Sequence, residues 1–72
     1  MDGTFRRCGA HKVRLPDGSV LNQAIVEMED GRVVNYYEFS CELPVTEWLG
    51  GEIAVERDVC GILRAHWQGS RL

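Results

Sequence analysis

LPDGSVLNQAIVEMEDGRVV, residues 15–34, is the stretch that decides the fold. Two glycine-containing turns bracket it, Pro16-Asp17-Gly18-Ser19 and Glu29-Asp30-Gly31-Arg32. Proline presets its φ for the second position of a tight turn starting at Leu15, and each Asp-Gly pair tolerates positive φ. Residues 20–28 between the turns therefore read as an extended strand. It pairs backward with residues 11–15 and forward with residues 33–39, which gives a three-stranded antiparallel meander.

Alternation along these strands assigns their faces. Residues 5–15 read as one strand with a bulge or bend at Gly9. After Gly9 the set His11, Val13 and Leu15 is expected to look inward, and Cys8, Ala10, Lys12 and Arg14 outward. In the second strand Val20, Ala24, Val26 and Met28 share a face with Asn22, and Leu21, Gln23, Ile25 and Glu27 share the other. In the third, Val33, Tyr37 and Phe39 lie with Asn35, against Val34, Tyr36 and Glu38. Leu21 and Ile25 are two apolar residues on a nominally outer face, and Val34 and Tyr36 repeat the pattern. They call for cover by another element or another chain.

The rest of the chain has to supply that cover. Pro44 opens a short helical turn over residues 44–49, which Gly50-Gly51 ends. Residues 52–57 and 62–67 form a hairpin around Asp58-Val59-Cys60-Gly61. Residues 1–4 and 68–72 read as flexible polar ends. The expected fold is all-β: about five antiparallel strands in one 72-residue domain, a meander plus a C-terminal hairpin, forming a small curled sheet, barrel or sandwich. No segment is long enough to be a crossover helix, so no parallel pairing is expected.

Residues 11–39, HKVRLPDGSVLNQAIVEMEDGRVVNYYEF, carry a wider pattern. A strand leads into Asp17-Gly18, a second strand ends in acidic residues, and Asp30-Gly31-Arg32-Val33-Val34 follows. This resembles the small N-terminal β-domain of amidohydrolase-superfamily enzymes. Trp48-Leu49-Gly50-Gly51-Glu52-Ile53 sits roughly where those enzymes approach the last strand of that domain. The resemblance implies a scaffold, and an accessory or regulatory module that binds a protein or a small ligand. The superfamily's His-x-His motif does not occur in this sequence, so the resemblance implies no catalytic residue.

Composition narrows the function classes. Eight Lys and Arg stand against eleven Asp and Glu, for a net charge of -3. A general nucleic-acid binder needs clustered cations to displace counterions from phosphates. The one basic group, Arg6, Arg7, Lys12 and Arg14, reads as a solvated or edge-protecting face. No run approaches the ~20 apolar residues of a membrane span, and no apolar leader opens the sequence. Neither nucleic acid nor membrane is an expected partner. Three widely spaced cysteines, Cys8, Cys41 and Cys60, suit free thiols in a reducing cytoplasm.

Two constellations could carry chemistry. Cys8-x-x-His11 and Cys60-x5-His66 offer the ligand types of tetrahedral zinc, with Cys41 as a substitute. Strand geometry opposes the set, because Cys8 and His11 lie on opposite faces and His66 stands ~20 Å along the chain from Cys60. A thiol beside His11 or His66 would be the enzyme reading, against which a buried cysteine acts as a small hydrophobe. No catalytic residue, metal or cofactor is therefore expected. The expected function is a non-catalytic β-domain acting through self-association, a dimer first, or through a protein partner. Leu21, Ile25, Val34, Tyr36 and Trp48 are the contact candidates. Trp48 reads first as a lid on the sheet and second as an exposed anchor.

Overall fold

Asp30 and Gly31 take φ values of 54° and 78°, the two left-handed positions of a type I′ turn. They fold β2 (Val20–Glu29) back onto β3 (Arg32–Glu38), with Glu29 opposite Arg32. The Pro16 turn joins β1 (Phe5–Arg14) to β2 in the same antiparallel sense. There the Gly18 amide donates to the Leu15 carbonyl at 3.0 Å, and the Ser19 amide donates to Asp17 Oδ1 at 2.8 Å. The meander forms as its turn chemistry specifies. The computed structural model describes residues 4–39 and 47–72.

Among the described residues the protein is all-β, with seven strands and no helix. β4 (Glu47–Trp48), β5 (Glu52–Arg57), β6 (Leu63–Trp67) and β7 (Ser70–Arg71) complete one sheet of order β3-β2-β1-β5-β6-β7. β4 and β5 both pair with the edge of β1 that β2 leaves free, and both run parallel to it. The sheet is thus mixed, contrary to the antiparallel expectation. A parallel pair needs a long connection, and no helix is required to provide it. Here β2 and β3 are themselves that connection.

Two further elements differ from the sequence reading. Residues 44–46 of the expected helical turn lie outside the described residues, but Glu47 and Trp48 are extended, not helical. The Leu49 amide donates to the Gly9 carbonyl at 2.8 Å. A ready-made ladder on β1 outcompetes a helix too short to repay its nucleation. At the C-terminus, Gln68 and Gly69 take φ 52° and 82° and turn the chain back into β7 instead of a polar tail. The Leu72 amide then donates to the Ala65 carbonyl at 2.9 Å, and its side chain packs on the core.

The β5–β6 turn forms where expected, and Asp58 organises it. Its Oδ1 accepts from the Cys60 amide at 2.8 Å and the Ile62 amide at 3.0 Å. Its Oδ2 accepts from Arg64 Nε at 3.0 Å, while Arg64 Nη1 donates to the Gly31 carbonyl at 2.9 Å. Arg64 therefore ties the C-terminal hairpin to the β2–β3 turn. The sheet curls far enough for β3 and β6 to touch, yet does not close into a barrel.

The core fills the concave side of this curl. Cys8, Ala10, Val13, Ala24, Val26, Met28, Val33, Ile53, Val55 and Ala65 are buried there, flanked by Leu15, Leu21, Leu49, Leu63, Trp67 and Leu72. Cys8 and Ala10, expected outward, face in, as does Leu21. The cause is a change of face two rungs further along than Gly9, at His11 and Gln23. His11 and Lys12 are both exposed, as are their neighbours across the ladder, Asn22 and Gln23. Gln23 takes φ 53°. The pairing stays in register on either side, Ala10 with Ala24 and Lys12 with Asn22. A second irregularity falls between Glu27 and Met28, where β3 carries the extra residue Val34. It sets Tyr36 opposite Val26 and Tyr37 opposite Ile25, so the two tyrosines exchange their expected faces.

A left-handed φ at a non-glycine residue costs about 1–2 kcal/mol, and β-branching raises the cost. Gln23→Val should therefore lower unfolding stability by about 1–2 kcal/mol, and Gln23→Gly should not lower it. Urea unfolding checks this; a regular strand at this position would instead gain up to about 1 kcal/mol from valine.

Candidate interaction face

The convex side of β1, β2 and β3 carries a second, smaller cluster. Gly9 stands opposite Ile25, and Ile25 opposite Tyr37. Ile25 is fully buried although it lies apart from the concave core. Its cover comes from β4. Trp48 pairs with Gly9 along the parallel ladder, and its ring lies over the glycine. A Cβ at Gly9 would stand 2.8 Å from Trp48 Cε3 and 3.1 Å from Ile25 Cδ1. Only glycine leaves room for the indole.

Two rings flank that indole. His11 meets Trp48 edge-on, with centroids 5.1 Å apart and planes at 88°. Phe39 meets it at 6.0 Å and 80°. Such pairs add about 0.5–1.5 kcal/mol each beyond area burial, and burying an isoleucine side chain contributes about 1.5–3 kcal/mol. Trp48 itself remains 49% exposed. It is a roof over Ile25 with its own outer surface open.

A polar group adjoins the roof. Tyr37 Oη donates to Glu27 Oε2 at 2.5 Å, and Arg7 Nε donates to the same oxygen at 3.2 Å. The Arg7 guanidinium stands 5.7 Å from the centre of the Phe5 ring. The Tyr37 hydroxyl, then Arg7, hold the Glu27 carboxyl below the usual carboxylate range, against the opposing effect of its burial. The same carboxylate raises the Tyr37 hydroxyl. On β4, Glu47 accepts from Arg6 Nε and Nη2, at 3.0 and 2.8 Å, which lowers its carboxyl. Both partners of that pair are substantially exposed, so it stabilises little.

Of the five contact candidates, the structure brings Ile25 and Trp48 together, with Trp48 as the lid. Val34 is exposed in the β3 bulge. Leu21 packs on the concave core opposite Val13. Tyr36 lines the rim of a shallow groove of about 190 Å³ with Leu15, Pro16, Asp17, Arg57 and Leu63. The single chain thus hides both Leu21 and Ile25, one inside and one under its own tryptophan. Sequence reasoning missed the part played by Gly9, His11 and Phe39. Strand parity already placed Gly9 and His11 together; the missing fact was the register of β4.

The chemical candidates stand apart. Cys8 is in the core, His11 is on the convex side, Cys60 is exposed in the β5–β6 turn, and His66 lies on β6 opposite Ala54. Burial pushes the Cys8 thiol up, away from a thiolate nucleophile. Cys41 lies outside the described residues. Among those residues no three His, Cys, Asp or Glu side chains are grouped to hold a metal ion. Nor does any helix among them have the length and apolarity to cross a membrane. Comparison of the chain with protein-family models, with curated proteins and with solved structures gave no match.

Gly9→Ala should unseat Trp48. We expect a loss of about 1–3 kcal/mol, as for overpacking a filled site, and a red-shifted tryptophan emission in the folded state. An unshifted spectrum with full stability would contradict the seat described above. Glu27 supplies a pH test. Its folded carboxyl titrates below the unfolded value of about 4.3, so its contribution is present above that value and lost as pH falls through the folded one. Glu27→Gln should therefore flatten the decline of stability below about pH 5, as measured by urea unfolding along a pH series.

Proposed function

We propose that this chain is a non-catalytic interaction domain that self-associates through the convex face of β1–β3. The observation that carries the reading is Trp48, half exposed above a fully buried Ile25. Phe5 is a strand neighbour on this side, Val34 stands in the adjoining β3 bulge, and each is more than half exposed. Aromatic residues and arginine dominate the energetics of protein contacts, and Phe5, Trp48, Tyr37 and Arg7 stand together here. Arg7 and Glu27 supply one charge of each sign. A second copy related by a twofold axis can meet this patch without a net like-charge cost, although the whole chain carries -3. The groove beside Tyr36, at about 190 Å³, is smaller than the ~300–1,000 Å³ of small-molecule pockets. A reducing cytoplasm belongs to this reading. Its support is that Cys8 and Cys60 are free thiols, one in the core and one at a turn.

Sedimentation equilibrium over a wide concentration range tests the proposal. Val34→Asp and Phe5→Ser change side chains that are more than half exposed, so both variants should fold. The wild-type chain should associate, and each variant should associate at least about tenfold more weakly, the effect of losing about 1.4 kcal/mol at a contact. A wild-type chain that stays monomeric throughout, or variants that associate as strongly as wild type, would reject it.

A further inference from the structure

We infer that β4 is a strap that releases from β1 as a unit, uncovering Ile25 while the rest of the sheet stays folded. This goes beyond the self-association reading and does not depend on it. The described ties of the strap are few. It has two rungs, Cys8 with Glu47 and Gly9 with Trp48, and one flanking hydrogen bond from the Leu49 amide to the Gly9 carbonyl. Its side-chain holds are the exposed Arg6–Glu47 pair and the seat of Trp48 on Gly9 between the His11 and Phe39 rings, and the adjoining Leu49 packs, partly buried, against the core.

Three features make the release local. First, Ile25 belongs to the convex cluster and not to the concave core, so lifting Trp48 uncovers Ile25 without opening that core, which the strap meets through the partly buried Leu49. Second, the strap ends in Gly50 and Gly51, both left-handed at φ 74° and 62°. Two consecutive glycines supply the backbone freedom of a hinge. Third, both hinge glycines are pinned through their carbonyls, which leaves the turn to the N–Cα bond of Gly50. Trp67 Nε1 donates to the Gly50 carbonyl at 2.9 Å, and the Lys12 amide donates to the Gly51 carbonyl at 3.1 Å. β5 therefore stays on β1 when β4 lifts. Regions held by few buried contacts open at lower free energy than the whole fold. Release exposes a socket of Gly9, Ile25 and Phe39 already shaped to an indole, so the strap controls whether the convex face is presented closed or open.

Native-state hydrogen exchange, followed by NMR on the wild-type chain and on Glu47→Gln, tests this. The Leu49 amide should exchange at least about tenfold faster than the Val26 amide, without the denaturant dependence of global unfolding. In Glu47→Gln it should exchange about twofold to fivefold faster again, the scale of an exposed ion pair, with Val26 unchanged. The strap is overturned if Leu49 exchanges with the rate and denaturant dependence of Val26 in the wild type. It is equally overturned if the substitution leaves Leu49 unchanged or accelerates both amides alike. The two proposals fail separately, because exchange is read on the monomer at low concentration.

Discussion

The left-handed backbone of Gln23 is the constraint on which the rest of the structure depends. A regular ten-residue strand would keep one set of alternating side chains on one face throughout. β2 does not, and neither does β1 beside it. At a single rung both strands pass from one alternation to the other, while their pairing continues in register. The interior consequently receives Cys8, Ala10, Ala24 and Val26 from one side of the rung, and Val13 and Leu21 from the other. Two alanines, Ala10 and Ala24, face each other just before the change, and both are fully buried. Small side chains fit the inside of a sharp bend, where bulky ones would hold the sheet flat. The bend brings the β2–β3 turn within reach of Arg64, and the curl of the sheet follows.

Gly9 makes the opposite contribution on the opposite face. Its missing Cβ admits the Trp48 ring, and the ring closes over Ile25. A chain of 72 residues has a thin core, because so much of it lies near the surface. A second cluster on the convex side raises the apolar area removed from water without thickening the domain. It uses a two-residue strand that takes its ladder from β1. The same strand therefore serves as sheet edge and as roof.

What could be read beforehand divides along physical lines. The Asp17-Gly18, Asp30-Gly31 and Asp58 turns were legible because their residues select a backbone conformation by themselves, and the hairpins they join came with them. The parallel placement of β4 and β5 was not legible, since it depends on a contact between distant parts of the chain. Gln68 and Gly69 escaped notice for a different reason. Glutamine is not a residue that ordinarily takes positive φ, so the pair does not look like a type I′ turn. The phase change at Gln23 escaped for the same reason, and it carried the faces of Leu21, Cys8 and Ala10 with it. At the site, the sequence shows that Ile25 needs cover and that Trp48 can be a lid. That the one covers the other rests on the register of β4 against Gly9, which no local pattern specifies.

The polar half of the convex face bears on what this surface can do. Glu27 accepts from both Tyr37 and Arg7, and both donors favour its ionised form. A carboxylate so satisfied is a weaker proton acceptor than a free one, and the Tyr37 hydroxyl gives up its proton less readily. Neither group is tuned toward general acid–base work near neutral pH, which calls for a carboxyl raised, not lowered. The arrangement instead fixes rotamers. Arg7 is held at Glu27 with Phe5 beside it, and Tyr37 is held next to Ile25 and the Trp48 roof. Side chains already ordered before a partner arrives have less entropy to lose on contact. An aromatic face locked in this way is pre-organised, and a single half-buried carboxylate does the locking.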